Sequence, residues 1–291
     1  MRVIFHTGAH CTDGDRILKC LLRNNQTFSQ RGIAAPGPGK YRELLGQSFR
    51  AMSTTQPAPD AREVLMDAIL DDDHADRMIL SNAYFLGSRR FAVQDGQFYP
   101  AAPERVTHLQ KLFPGDQLSL FMGLRNPATF LPAVLGDATP ELLADALGGA
   151  EPQKLRWSDC LRRIRAAAPD MEMTVWCNED TPLLWAHIIR QMAGLQPYEK
   201  IVGGFDLLSD LITREGMQRF RAYLHKYPRL NEQQKRGVIA AFLENFAIPE
   251  QVEEELDLSG WTEDLVEEMT ELYDEDLARI RNIPGVTLLD P

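Results

Sequence analysis

Residues 2–18 read RVIFHTGAHCTDGDRIL, a stretch in which a strand pattern, a glycine-bearing loop and a helix pattern follow one another. The apolar run that ends at His6 predicts a short buried strand, and the leucine pattern after Asp15 predicts a helix. A strand, a glycine-bearing loop and a helix form the first half of a βαβ unit. The loop has the layout of one that cradles phosphate, but it lacks lysine and carries two aspartates, Asp13 and Asp15.

Strand and helix patterns alternate along the rest of the chain, and residues after 204 are almost wholly helical in pattern. Further strands are predicted at 77–81, 117–124, 171–177 and 286–289. We therefore predict an α/β fold with a mainly parallel sheet flanked by helices. Residues 1–203 are expected to form the α/β core, and residues 204–291 a helical C-terminal portion packed on the same domain.

Several polar residues mark the predicted helix starts. Asp60 with Glu63 forms a capping-box pattern before one helix. Ser158, Thr181 and Thr262 are predicted to cap three later helices, because short polar side chains accept hydrogen bonds from the first free backbone N–H groups.

Composition and charge exclude several classes of function. The formal net charge of −11 disfavours binding to nucleic acid, which needs a basic surface. Four scattered cysteines without CxxC spacing disfavour a zinc site or a disulfide framework, and no metal is expected. No run of 18 apolar residues predicts a membrane span, so no membrane partner is expected. The first residues lack the features of a signal peptide, which makes the cytoplasm the expected location.

Charge is distributed unevenly in the C-terminal part. Residues 250–278 contain thirteen Asp or Glu and no Lys or Arg, whereas residues 214–236 contain seven Lys or Arg. These segments are either solvated helix faces that pair with each other or a surface that docks a partner.

Four further segments extend the pattern of the first loop and carry a family resemblance. The loop 6–18 is similar to HxGxxKTGTTSLQ, the motif that follows the first strand in bacterial sulfotransferase-like proteins of the P-loop fold. ILS at 79–81 resembles the second-strand ILSSE of that family, and LRNPATFLPAV at 124–134 resembles its RNPxxFLPSxY segment. WCNEDTPLLW at 176–185 and the ending at 260–289 also resemble this group, so the similarity covers most of the chain.

The resemblance implies a P-loop-type fold and transfer of a sulfuryl group from 3′-phosphoadenosine-5′-phosphosulfate to an unknown acceptor. It implies that Arg125 and Ser81 bind the 3′-phosphate of this donor. It also places Gly8, Thr12 and Gly14 in the loop around the 5′-phosphosulfate. Glycine allows the backbone of such a loop to come close to an anion.

The sequence departs from the family pattern where the chemistry would occur. Cys11 stands at the position of the loop lysine, and Asp13 at the position of a glycine. The two hydroxyl residues of the motif are Gly14 and Asp15. Ala83 and Ala133 stand at the positions of an acidic residue after the second strand and of the serine after Arg125.

Three residues of the first loop and its helix could restore positive charge: Arg16, Lys19 and His10. Arg16 is close enough in sequence to restore a positive charge to the donor site. His10 is the candidate catalytic base, because imidazole titrates near neutral pH, and the alternative for His10 is a structural or exposed histidine.

The sequence leaves two functions open. The first is a sulfotransferase, and the second is a non-catalytic descendant of that fold that acts as a binding or interaction protein for an unknown partner. An ATP-dependent kinase is the weakest hypothesis, because no GKS or GKT sequence is present. The sequence does not show whether Asp13 and Asp15 point into the loop or away from it.

Overall fold

The computed structural model describes residues 1–71, 74–136, 140–252 and 260–291, without the side chains of residues 140–142. Its strands are β1 (Arg2–His6), β2 (Ile33–Ala34), β3 (Arg77–Ser81), β4 (Val93–Gln94), β5 (Gln97–Phe98), β6 (Gln117–Leu124), β7 (Glu172–Cys177) and β8 (Val286–Leu289).

Helices connect these strands and make up most of the C-terminal third of the described residues. They are α1 (Arg16–Arg23), α2 (Asn25–Ser29), α3 (Arg42–Met52), α4 (Ala61–Leu70), α5 (Ala102–Leu112), α6 (Pro127–Leu135), α7 (Pro140–Leu147), α8 (Trp157–Ala167), α9 (Thr181–Ala193), α10 (Asp206–Leu211), α11 (Arg214–Lys226), α12 (Glu232–Phe246), α13 (Pro249–Val252) and α14 (Glu263–Ile280). Short 3₁₀ turns lie at Pro38–Lys40, Arg89–Phe91, Pro152–Lys154 and Asn178–Asp180.

Six strands of the described residues form one parallel sheet in the order β2-β3-β1-β6-β7-β8. The strands β4 and β5 form a separate antiparallel hairpin. This topology confirms the predicted α/β fold and is consistent with a P-loop-like arrangement. The short strand β2 and the hairpin were not predicted, because two-residue strands leave no periodic pattern to detect.

The sheet is buried on both faces, which explains the nearly continuous apolar runs of its strands. In β1, Val3 and Phe5 face a core shared with α3 to α8 and α14, whereas Ile4 faces a core shared with α1, α2 and α9. These three side chains are at most 1% exposed.

The connections after β1 and β3 leave the sheet on opposite faces. The chain leaves β1 through α1 on one face, and it leaves β3 through α5 on the other. Such a switch between adjacent parallel strands opens a crevice at their carboxyl ends, where ligands usually bind in open α/β sheets. His6 and Ser81 are register partners at this edge.

The C-terminal portion divides its contacts between two places. Helices α10, α11 and α12 share a small apolar cluster around Phe220. In contrast, α14 packs on α6 and α8, and β8 pairs with β7. The predicted division at residue 203 stays a prediction.

Three of the predicted helix caps are wrong in detail. Asp60 precedes α4, but its side chain makes no cap hydrogen bond. Ser158 lies inside α8, where its backbone N–H donates to the buried carboxylate of Asp276 at 3.0 Å. Thr181 is the first residue of α9 and not its cap. The cap at Thr262 is confirmed, since its hydroxyl accepts from the N–H of Leu265 at 3.2 Å.

The acidic and basic segments make separate ion pairs in the described part of the chain. Arg219 pairs with Glu215 within α11, and Arg279 pairs with Glu275 within α14. No ion pair there joins α14 to α11 or α12. Residues 253–259 of the acidic segment lie outside the described residues. Among the helices described, none is long and apolar enough to span a membrane.

Phe5 tests the importance of the β1 core. Its ring is fully buried and makes edge contacts with Phe85 and Phe113. We expect Phe5→Ala to lower the free energy of unfolding by about 3–5 kcal/mol, because a large cavity forms between packed rings. Urea unfolding measures this loss. The matched control is Phe91→Ala at a side chain that is 51% exposed, and an equal loss there would contradict the described core.

Candidate functional site

The first loop, Thr7–Asp15, joins β1 to α1 at the carboxyl edge of the sheet. Hydrogen bonds from the N–H groups of Thr7 and Ala9 to the carbonyls of Phe121 and Gly123 hold its first half beside β6, at 2.9 and 3.0 Å. Positive φ angles occur at Gly8 (54°), Cys11 (58°), Gly14 (56°) and Asp15 (62°). The loop therefore curls back on itself before α1 begins.

The carboxylate of Asp13 lies inside this curl. Its Oδ2 accepts a hydrogen bond from the N–H of Ile17 at 3.0 Å, and its backbone carbonyl accepts from the N–H of Arg16 at 3.0 Å. A β-carbon added at Gly8 would stand 3.7 Å from Asp13 Oδ1 and 3.2 Å from the hydroxyl of Thr12. The side chain of Asp13 thus supplies an acceptor to one N–H of the first turn of α1, and helix N-termini are where anions commonly bind.

Asp15 points away from the loop and toward α3. Its two carboxylate oxygens accept hydrogen bonds from the guanidinium of Arg42 at 2.6 and 3.0 Å. The hydrogen bond from Arg42 lowers the pKa of Asp15 below its ordinary value. Arg42 also donates to the carbonyl of Ser81 at 2.9 and 3.0 Å. Arg42 therefore fastens the end of the first loop to the end of β3.

Two of the predicted donor-binding hydroxyls have partners within the site. Thr12 donates its hydroxyl hydrogen to the carbonyl of Ala9 at 2.7 Å. The hydroxyl of Ser81 lies 2.8 Å from Nδ1 of His6, and both side chains are buried. Burial lowers the pKa of His6, although Asp13 and Asp15 oppose this shift. The single hydroxyl hydrogen of Thr12 is therefore already used within the loop.

Arg125 reaches the first loop from the end of β6, and its predicted role in binding the 3′-phosphate stays a prediction. Its guanidinium donates to the carbonyl of Cys11 and, at 3.0 Å, to the hydroxyl of Thr129. The side chain is buried, and its backbone carbonyl accepts from the indole of Trp157 at 2.8 Å. Arg125 is thus held in the fold by contacts that include the outer side of the loop.

Arg16 and Gly14 lie on the exposed side of the loop. The Nε of Arg16 donates to Asp210 of α10 at 3.4 Å, and both side chains are about half exposed. Arg16 therefore directs its charge toward α10, although it also lines the cleft described below.

His10 is buried against the aromatic rings of Tyr84 and Tyr99. Its backbone N–H donates to the hydroxyl of Tyr99 at 2.8 Å, and its Nδ1 lies 2.8 Å from the same oxygen. The ring also meets the edge of Tyr84. Burial lowers the pKa of His10 to about 4, and the nearby charge of Arg89 adds to this shift. A catalytic base must also lie within reach of the substrate proton that it removes. His10 is only 4% exposed, so in this arrangement little of its side chain is accessible to a substrate.

A cleft of about 520 Å³ opens beside the first loop, and we call it the α1–α9 cleft. Its polar lining includes Thr12, Asp13, Arg16, Asn178, Glu179 and Thr181. Burial raises the pKa of Glu179, whose Oε1 accepts from the N–H of Asn126 at 2.8 Å. The lining holds two carboxyl groups, Asp13 and Glu179, against the one guanidinium of Arg16, so the cleft suits a neutral polar or cationic ligand better than an anionic one.

The sequence patterns did not identify two residues of this site. They are Arg42, which binds Asp15, and His6, whose ring lies beside the hydroxyl of Ser81. The pair of aspartates did indicate that a cation is needed nearby. The sequence offered no reason to choose Arg42 over Arg16, because 27 positions separate Arg42 from Asp15.

Comparisons with family models and with curated proteins find no match to this chain. The sulfotransferase-like interpretation therefore rests on the motif resemblance and continues below as a proposal.

The Asp15–Arg42 pair yields a pH-dependent prediction. Asp15→Asn should lower the free energy of unfolding at pH 7 by about 0.5–1 kcal/mol, a modest value because both partners are partly exposed. The pKa of Asp15 is depressed in the folded state, so its contribution is present above the ordinary value of 3.8 and is lost as pH falls through the folded pKa. Urea unfolding from pH 7 to pH 3 should show the two proteins converging. The control is Asp170→Asn at an exposed position, and a constant difference at all pH values would contradict the pairing.

His10 allows a direct spectroscopic test. We expect its imidazole to titrate near pH 4 in an NMR experiment on the folded protein, since burial disfavours the charged ring. Because the folded pKa is lower than the ordinary value of 6.5, the related stability is present above pH 6.5 and declines toward pH 4. The same imidazole in the urea-unfolded protein provides the reference. A His10 pKa of about 6.5 would show that the ring is open to water.

Proposed function

We propose that this protein is a non-catalytic binding protein built on a sulfotransferase-like P-loop fold. The observation that carries this proposal is the carboxylate of Asp13 at the N-terminus of α1, hydrogen-bonded to Ile17. The position that would hold the 5′-phosphosulfate of the donor is occupied by an anion of the chain itself.

Electrostatic magnitudes support this proposal. A carboxylate about 4 Å from a phosphate charge costs about 4 kcal/mol at the effective dielectric of a protein surface. The N-terminus of a helix contributes only about 0.3–1 kcal/mol to binding an anion. The dipole of α1 therefore cannot offset the repulsion from Asp13 while Asp13 stays in place.

Two of the nearby cations are already paired with carboxylates, which reduces what they can contribute to binding an anion. Arg42 holds Asp15, and Arg16 contacts Asp210. The ligand that we propose occupies the α1–α9 cleft, where Asp13 and Glu179 favour a neutral polar or cationic molecule.

A second candidate function is sulfuryl transfer from 3′-phosphoadenosine-5′-phosphosulfate to a hydroxyl or amine of an unknown acceptor. The position of Arg125 favours it, because this buried guanidinium reaches the first loop from the end of β6. Ser81 stands at the end of β3, where the family carries a similar serine. For this function Asp13 would have to leave the loop when the donor binds.

Titration with 3′-phosphoadenosine-5′-phosphate separates the two candidates. We expect no heat of binding from the wild-type protein at low or at physiological salt. The double variant Cys11→Lys/Asp13→Gly should bind this nucleotide with an affinity that falls with salt, because it replaces repulsion with attraction. Cys11→Lys alone is the matched control, since it adds the lysine but keeps the carboxylate.

Micromolar binding by the wild-type protein, lost in Arg125→Ala, would overturn the proposal and support the second candidate. If the folded double variant bound no better than the Cys11→Lys control, Asp13 would not be the cause of the loss. Near-ultraviolet circular dichroism of each variant shows whether its tertiary packing is intact.

A further inference from the structure

A second concave surface lies beside the segment that follows β3. This β3 groove has a volume of about 630 Å³ and runs between α3, the segment after β3, and α5. The residues that matter for its chemistry are Gly46, Phe49, Arg50, Asn82, Tyr84 and Arg105. Its size lies within the range of about 300–1,000 Å³ that is typical of small-molecule sites.

The charge of the groove is opposite to that of the whole protein. Arg42, Arg50 and Arg105 line it, together with the one carboxylate of Glu43, in a chain whose net charge is −11. Glu43 pairs with Arg50 at 3.1 Å on the exposed rim. Arg42 is held by Asp15 at the inner end. The lining therefore keeps an excess of positive charge that the exposed Glu43 does not neutralise.

Arg105 accounts for most of the excess positive charge in the β3 groove. In the part of the chain that the structure describes, its guanidinium makes neither an ion pair nor a side-chain hydrogen bond. It stands over the ring of Phe49 at 5.0 Å. Burial lowers the pKa of Arg105, the charge of Glu104 opposes this shift, and the charge of Arg50 adds to it. An oxyanion beside Arg105 would give its guanidinium a hydrogen-bonded partner.

Gly46 keeps the floor of the groove open. It lies in the interior of α3, where glycine is unfavourable compared with alanine. A β-carbon added there would meet only the guanidinium of Arg50, at 3.7 Å, so close packing does not require a glycine. The missing side chain leaves space beside that guanidinium, and this space is where an anion would lie.

The rim of the groove offers an aromatic surface. The side chain of Tyr84 is 59% exposed, and its ring packs edge-on against buried His10. The amide oxygen of Asn82 accepts from the N–H of Tyr84 at 3.1 Å, which fixes the turn that presents this ring. An exposed but well-positioned tyrosine provides a flat surface on which a ring can stack.

We propose that the β3 groove binds a small organic anion, with its oxyanion group at Arg105 and Arg50 and a flat ring on Tyr84. This inference goes beyond the proposed function and does not depend on it, because none of the six residues named above lines the α1–α9 cleft or belongs to the first loop. The ligand class follows from the chemistry of the lining: guanidinium groups recognise phosphate, sulfate or carboxylate.

Isothermal titration with 4-nitrophenyl phosphate tests the proposal, since this probe joins an aromatic ring to an oxyanion. We expect saturable one-to-one binding that weakens with salt, and weaker binding of inorganic phosphate or of 4-nitrophenol. Arg105→Gln should weaken binding by about tenfold or more, because a charge-assisted hydrogen bond is lost. The matched control is Lys111→Gln, which removes the same charge from an exposed position on the same helix.

Gly46→Leu gives an independent test that keeps the protein folded. The new side chain should fill the groove and abolish binding, while the melting temperature stays the same or rises because leucine favours the helix. The proposal is wrong if the wild-type protein shows no saturable binding at millimolar concentrations, or if Arg105→Gln and Lys111→Gln bind equally. It is also wrong if Gly46→Leu, with an unchanged melting temperature, retains full affinity. Equal binding of inorganic phosphate would overturn the role of Tyr84.

Discussion

The hydrogen bond between the carboxylate of Asp13 and the N–H of Ile17 determines the chemistry of this edge of the sheet. A helix that begins directly after a central parallel strand has free N–H groups that need an acceptor. In this chain the acceptor is supplied from within, so the N-terminus of α1 is satisfied without a ligand. Asp13 also lines the neighbouring α1–α9 cleft, where it and Glu179 place two carboxyl groups.

The other contacts of the first loop are consistent with this internal acceptor. Arg125 donates a hydrogen bond to the carbonyl of Cys11, and Arg42 of α3 binds the carboxylate of Asp15. Because Arg42 also bonds to the carbonyl of Ser81, the end of the first loop is tied to the end of β3. Thr12 and Asp13 of the loop line the α1–α9 cleft, and Arg42, which holds Asp15, lines the β3 groove.

Much of the fold could be predicted because its strands are buried on both faces. The runs at 77–81 and 117–124 match β3 and β6 at both ends, since long apolar segments have few alternatives. Contacts between distant residues could not be predicted. Ser158 resembled a cap by its type, yet the N-terminus of α8 is satisfied by Asp276, 118 positions away. Local propensity gives no information about such a partner.

The candidate site could also be predicted only in part from the sequence. The resemblance directed attention to the first loop and to Arg125, and the structure places Arg125 against that loop. It could not reveal that Asp13 points inward and Asp15 outward, because both residue types cap helices and pair with arginine equally well. The β3 groove left no motif, since its residues come from α3, the turn after β3 and α5.

A crystal structure of the protein grown from concentrated ammonium sulfate is the most direct test of the internal acceptor. Sulfate binds readily to free helix N-termini, so it competes for the place that Asp13 occupies. We expect Asp13 Oδ2 to remain within hydrogen-bond distance of the N–H of Ile17, with no sulfate in the first loop. A sulfate bound to the N–H groups of the loop, with the Asp13 side chain turned outward, would show that the loop is an open anion site.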